Sequence, residues 1–201
     1  MFTPASGWER IKRAQHSVWF VLFTFVLPVM LLSSAVEAYG LMHWGKWQGQ
    51  VVHLRKFSLS EAVVCESVQF VISFGLLILN AMTLRSTSST FVTRHTFKQA
   101  FTTMGYGLGP FFLLRMLNAL QDIPSWLTWV LGIFVCLAFL YHGVPQIMQP
   151  DPAHAFGLYV TTILLLTFTT GLFELCKAAY LSGSFPRLEE LITSTAARLP
   201  F

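Results

Sequence analysis

Charge is scarce in this chain. Charged residues make up 11% of its 201 residues, and nine of them are acidic, where a soluble domain carries about 25%. Water is therefore not the main solvent for its surface. Cysteine is rare too. Cys65, Cys136 and Cys176 stand far apart with no CxxC spacing, which argues against a disulfide framework or a thiolate zinc site and leaves them as small apolar fillers. No HExxH, GxSxG, P-loop or dinucleotide fingerprint occurs, so neither an enzyme nor a cofactor is expected. His43, His53, His95 and His154 fall in or next to loops. Only His16 and His142 flank apolar runs, too little for a buried bis-histidine haem site. Basic residues meet aromatic ones only at membrane depth, which gives nucleic-acid binding no support.

What is present is apolar sequence, 54% of the chain. A membrane span needs roughly 20 mostly apolar residues, and five runs qualify: 17–34, 62–84, 101–120, 124–144 and 156–179. The expected fold is an all-α integral membrane protein, a bundle of five transmembrane helices. A short tail (1–16) precedes the bundle (17–179), and a C-terminal tail (180–201) follows it. The first run has a basic flank (Arg10, Lys12, Arg13) but exceeds the core of a signal peptide, so it is expected to be retained.

Five spans put the termini on opposite faces. The face with the N-terminus then carries six basic residues and two acidic ones, a net +4, and the other carries seven of each. Counting Lys and Arg alone does not orient the chain, although the basic residues around the first span and in the second-to-third loop favour a cytoplasmic N-terminus. The first loop (39–59) contains GKWQGQVVHLRKFSLS, a short hairpin or interfacial segment whose Trp44 and Trp47 suit headgroup depth.

Ionisable groups in hydrocarbon are costly and usually face protein or water. Three spans carry such groups at helical spacing: Glu66, Gln69, Ser73 and Asn80 in the second, Arg115, Asn118 and Asp122 in the third, and Thr167, Thr170, Glu174 and Lys177 in the fifth. Antiparallel neighbours bring Glu66 and Arg115 to one level, near Glu37, Glu174 and Lys177. The expectation is an intramembrane polar cluster of Glu37, Glu66, Gln69, Arg115, Asn118, Asp122, Glu174 and Lys177, with Glu66–Arg115 as its central pair. Three readings are open for it: flanking residues that snorkel to the headgroups, polar glue between helices, or a site handling a ligand, lipid headgroup or proton.

The third run contains GYGLGPFFLLR, residues 105–115. Pro110 lacks an amide hydrogen, so the Tyr106 carbonyl loses its helical donor. The glycines allow a turn or the close approach of a neighbour. A kinked or re-entrant third helix, broken by Gly and Pro, is expected.

Gly105-Tyr106 with Leu108, Gly109 and Pro110, then Leu140-Tyr141 with Gly143 and Pro145, then 153–156 opening the last run, resemble the Yip domain family, particularly its small bacterial members. The likeness covers roughly 96–179, and the first two runs through their number and order. It implies a five-helix membrane protein with a cytoplasmic N-terminus, here in a bacterial inner membrane. Eukaryotic members are associated with Rab-type GTPases and vesicle traffic, and carry a long cytosolic N-terminal region and an acidic Asp-Leu-Tyr-Gly-Pro motif. Neither occurs in this chain, which counts against GTPase binding. The expected role is a non-enzymatic packing and interaction module, an accessory subunit or scaffold for other membrane proteins or lipids. The alternative is a small channel or transporter using Glu66, Arg115, Glu174 and Lys177.

Overall fold

The computed structural model describes residues 4–48, 53–90, 95–181, 194–195 and 197. Arg94 and the charged residues of the C-terminal tail (Arg187, Glu189, Glu190, Arg198) lie outside the described residues. In chain order the elements are α1 (Pro4–Ala14), α2 (Val18–His43), β1 (Lys46–Gln48), β2 (His53–Arg55), α3 (Leu59–Thr90), α4 (Phe97–Gly107), α5 (Gly109–Arg115), α6 (Ser125–Met148) and α7 (Ala155–Leu181). A 3-10 turn, Met116–Ala119, continues α5.

Four helices are long and apolar enough to cross a membrane: α2, α3, α6, and α7 over Ala155–Lys177. The expected third crossing is divided into α4 and α5, with Leu108 between them. The segment 1–16, read from sequence as a tail, contains helix α1. The first loop pairs β1 with β2 as an antiparallel hairpin, with Trp47 opposite Leu54.

Polar caps set the helix starts. Ser17 Oγ accepts from the Phe20 amide at 3.1 Å. The Ser58 and Glu61 side chains each accept from the other's amide, and Thr96 and Gln99 form the same reciprocal box at α4; each satisfies amides that the helix leaves free. Prolines set the irregularities. Pro145 lies within a wide turn of five residues, Val144–Met148, and Pro28 stands two residues after another, Leu22–Val26. Such turns absorb a missing amide inside a helix, as in α2, or at its end, as in α6.

The core forms around α4, whose residues 100–105 and 107 are all buried. Val21, Val26 and Met30 of α2, Leu77, Ala81 and Leu84 of α3, and Leu140 and Val144 of α6 belong to the same buried cluster. The outward faces of the long helices are the opposite of a water-soluble surface: Trp19, Val71, Phe134, Phe156, Phe168 and Leu175 are each more than 60% exposed. In water a patch this size is a liability; in lipid it is the solvated surface.

Helix α1 packs onto the bundle through Trp8. Trp8 is buried, its ring lies over Gly143, where a Cβ would come within 2.5 Å of it, and it meets Tyr106 edge-on at 6.4 Å. A Gly143→Val protein should therefore lose the docking of α1, with a stability cost of about 1–3 kcal/mol. Trypsin cleavage at Arg10, Lys12 and Arg13 would accelerate in the purified protein, and unchanged cleavage would refute the assignment.

Candidate functional site

The polar cluster is built from the end of α2 outward. That helix stops where the Trp44 and Gly45 amides both reach the Gly40 carbonyl, at 2.9 and 3.1 Å, with Gly45 at φ 76°, a conformation that glycine adopts without strain. Gly40 has a second use. A Cβ there would overlap the backbone of Ala119, so α2 and the 3-10 turn touch main chain to main chain. Glu37 lies one turn before Gly40 and Arg115 four residues before Ala119. The close approach brings their side chains together.

Arg115 is 7% exposed and serves two carboxylates at once. Its Nε donates to Glu37 Oε2 at 2.7 Å and its Nη2 to Glu66 Oε2 at 2.6 Å, while Nη1 reaches Ser73 Oγ at 3.4 Å. The expected Glu66–Arg115 pair is present, and Glu37 is its equal partner. Lys177 Nζ lies 3.7 Å from both Glu37 Oε1 and Glu174 Oε2. The Gln69 amide borders the same groups; with its oxygen turned toward Arg115 it accepts from Nη2 at 2.8 Å and Nε at 2.9 Å. Only a guanidinium has this many donors in a fixed fork.

Asn118 belongs to the outer shell of the cluster. Its carbonyl accepts from Lys46 Nζ at 2.7 Å, and its side-chain oxygen accepts from Thr128 Oγ1 at 2.5 Å, which ties the turn to both β1 and α6. Lys46 was absent from the sequence-derived set. Its signal was position: a basic residue directly after the glycine that ends the first span. Burial pushes its ammonium below the ordinary lysine value of 10.5, against the pull of Glu37. Asp122 does not join the cluster. The chain leaves the 3-10 turn at Leu120, where the backbone extends, and Asp122 falls on an exposed turn.

The cluster thus holds three carboxyl groups (Glu37, Glu66, Glu174) and three basic ones (Arg115, Lys177, Lys46). Glu37 and Glu66 lie roughly 10 Å inside the ends of their helices, six and seven residues in at about 1.5 Å each. A cleft descends from Glu174 and Lys177 past Trp129 to Asn80, with a free volume of about 30 Å³, room for one or two waters. Glu174 Oε1 has no hydrogen-bond partner among the described residues. Deeper in the bundle, Asn80 exchanges hydrogen bonds with Thr169 at 3.0 and 3.2 Å.

The Gly/Pro motif lies elsewhere and packs helices. A Cβ at Gly105 would stand 3.2 Å from Val21 and Val26, and one at Gly109 2.6 Å from the Phe25 ring. The Tyr106 ring meets that same Phe25 at 4.8 Å, tilted by 42°. Pro110 occupies the first turn of α5, and Pro145 the wide turn ending α6. Tyr141 is exposed, edge-on to Tyr159 at 5.5 Å. Cys136 is more than a filler. Its thiol donates to the Gly107 carbonyl at 3.2 Å, where α4 gives way to α5.

An Arg115→Met protein leaves Glu37 and Glu66 buried without their guanidinium, and should lose about 3–5 kcal/mol of stability. Replacing all three by Leu or Met should restore most of it, since the buried charge leaves together with its partner. Thermal unfolding in mild detergent measures both; equal melting of Arg115→Met and wild type would count against the cluster. Gly40→Ala, which wedges α2 from the 3-10 turn, should destabilise by about 1–3 kcal/mol in the same assay, although it removes no charged group.

No curated protein and no solved structure matches the chain. The profile of the Yip1 domain matches residues 1–173, a stretch that takes in α1, the ionic cluster up to Arg115, and the Gly/Pro motif. The chain is a member of the Yip1 domain family.

Proposed function

We propose that this Yip1-domain protein is a non-enzymatic packing and docking module of a bacterial inner membrane, an accessory subunit or scaffold that binds other membrane proteins or lipids. The observation that carries the reading is the internal pairing of the ionic cluster. Arg115 and Glu37 spend their polar capacity on partners from α2, α3 and α7, and the long helices turn apolar aromatic faces outward. Of the three roles open to the cluster, polar glue between helices accounts best for this arrangement. A transport path through Glu66 and Arg115 needs a continuous aqueous route. The cleft beside them has space for only one or two waters.

The proposal includes five crossings, with α4, α5 and the 3-10 turn together forming a broken third span. Two contacts support this. Lys98, in the first turn of α4, donates to the Gln15 carbonyl just before α2 at 2.7 Å, and Arg115 meets Glu37 near the far end of α2. The segment thus runs beside α2 from one end to the other. With five crossings, α1 and the start of α4 share the cytoplasmic face.

Labelling with a membrane-impermeant maleimide tests the topology. In a background without Cys65 and Cys176, Thr96→Cys and Asp122→Cys should react from opposite faces; reaction from one face would remove the fifth crossing. The role is tested by purification in mild detergent with mass spectrometry of the retained components. Stoichiometric membrane-protein or lipid partners are expected. A partner-free protein that conducts ions in proteoliposomes, and stops when Arg115 is replaced, would favour the channel instead.

A further inference from the structure

A second polar site lies at the opposite end of the bundle from the ionic cluster. Between α1, the first turn of α4 and the end of α6 is a cavity of about 360 Å³. Its walls include Lys12, His16, Lys98 and Gln99, and Ile11 and Ile147 give it an apolar side. None of its ten lining residues is acidic. Of the acids on this face, Glu9 is held by Arg13 at 2.5 Å, and Asp151 faces His154 at 3.6 Å and accepts from the Ala153 amide. The positive charge in the cavity is therefore not neutralised from its walls. Lys98 is held in place by one hydrogen bond, to the Gln15 carbonyl, and an ammonium carries three donors.

We infer that this cavity binds the phosphate of an anionic lipid headgroup, with Lys12 and Lys98 as the charged contacts. Two features favour a lipid over a free anion. The cavity lies at the start of α2, at headgroup depth. From His16 the wall continues into the membrane-facing surface: the His16 ring stacks on Phe20 at 4.0 Å, and Phe20 and its neighbour Trp19 are exposed, an apolar track for an acyl chain. Lysines beside a membrane surface attract anionic lipid. The inference deepens the lipid-binding part of the proposed function and rests on this face lying at a membrane surface, not on the role of the ionic cluster.

The full-length protein in a non-ionic detergent is titrated with dioctanoyl-phosphatidylglycerol, dioctanoyl-phosphatidylcholine or inorganic phosphate at constant ionic strength, and its melting temperature is followed. The phosphatidylglycerol should raise the melting temperature saturably and the phosphatidylcholine should not. A rise with inorganic phosphate alone would overturn the lipid assignment in favour of a free anion. In Lys12→Gln/Lys98→Gln the apparent affinity for phosphatidylglycerol should weaken on the order of tenfold or more. Arg10→Gln/Arg13→Gln removes the same charge from this face outside the cavity and should change it little. Equal weakening in both double variants would reduce the effect to general surface charge and overturn the site. If the loss of the Lys98–Gln15 bond prevents folding, Lys12→Gln compared with Arg10→Gln decides in the same way. Loss of protein partners from the scaffold reading would leave this titration unchanged, so the two can fail separately.

Discussion

One guanidinium constrains half of the bundle. An arginine at the centre of a membrane helix costs about 2.5–3.5 kcal/mol on insertion scales, and it persists near the membrane interior where its donors are met. Arg115 meets its donors with Glu37 from α2 and Glu66 and Ser73 from α3. Glu37 in turn faces Lys177 of α7. Four separate stretches of chain must therefore arrive at one depth, and any sliding or rotation of one helix would strand a buried charge. Apolar packing in lipid has no such registration, because lipid tails are as apolar as leucine. The cluster supplies the register that the remaining contacts lack.

Small residues allow that register to close. Gly40 lets α2 rest on the Ala119 backbone, and Gly105 and Gly109 let Val21, Val26 and Phe25 press against the divided helix. The division at Leu108 has its own compensation. Pro110 brings no amide to the hydrogen-bond ladder, and the thiol of Cys136 in α6 donates to the Gly107 carbonyl beside it. A thiol suits the position because it is small and apolar enough for a membrane core and still offers a weak donor. Gly107, Leu108 and Gly109 at the break are buried, so its irregular backbone is covered by protein, as such backbone must be wherever lipid surrounds it.

Much of this was legible in the sequence, and the limits follow from periodicity. The 3- and 7-residue spacing of Glu66, Gln69 and Ser73 placed them on one face, and antiparallel order placed Arg115 at their level. Neither argument depends on tertiary detail. Asp122 fitted the same spacing and was misplaced, because helical phase carries no information once the helix ends, and the chain extends at Leu120. Lys46 was missed because a residue in a loop has no phase to read; only the hairpin turns it inward. Gly40, Trp8 and Cys136 escaped for a third reason. Their roles lie in distances to residues remote in sequence, Ala119, Gly143 and Gly107, and one sequence without an observed fold cannot supply those pairs.

The arrangement also separates where this protein can recognise polar chemistry from where it cannot. Between its two ends, the outer faces of α2, α3, α6 and α7 are aromatic and aliphatic, with Trp19 stacked on Phe23 at 5.9 Å and Phe134, Phe156 and Phe168 exposed. A partner helix approaching there meets no charge and gains specificity through shape alone, as small-residue and aromatic interfaces in membranes do. Charge-based recognition is left to the end faces. One of these is covered by the hairpin, with Lys46 turned inward onto Asn118. The other is open, basic in its cavity lining, and framed by a helix that buries Trp8 against Gly143. The carboxylates and bases of one end close largely on one another, whereas the cavity at the other end holds lysines with no acid in its walls, so the two polar ends of an otherwise apolar bundle differ in how their charge is compensated.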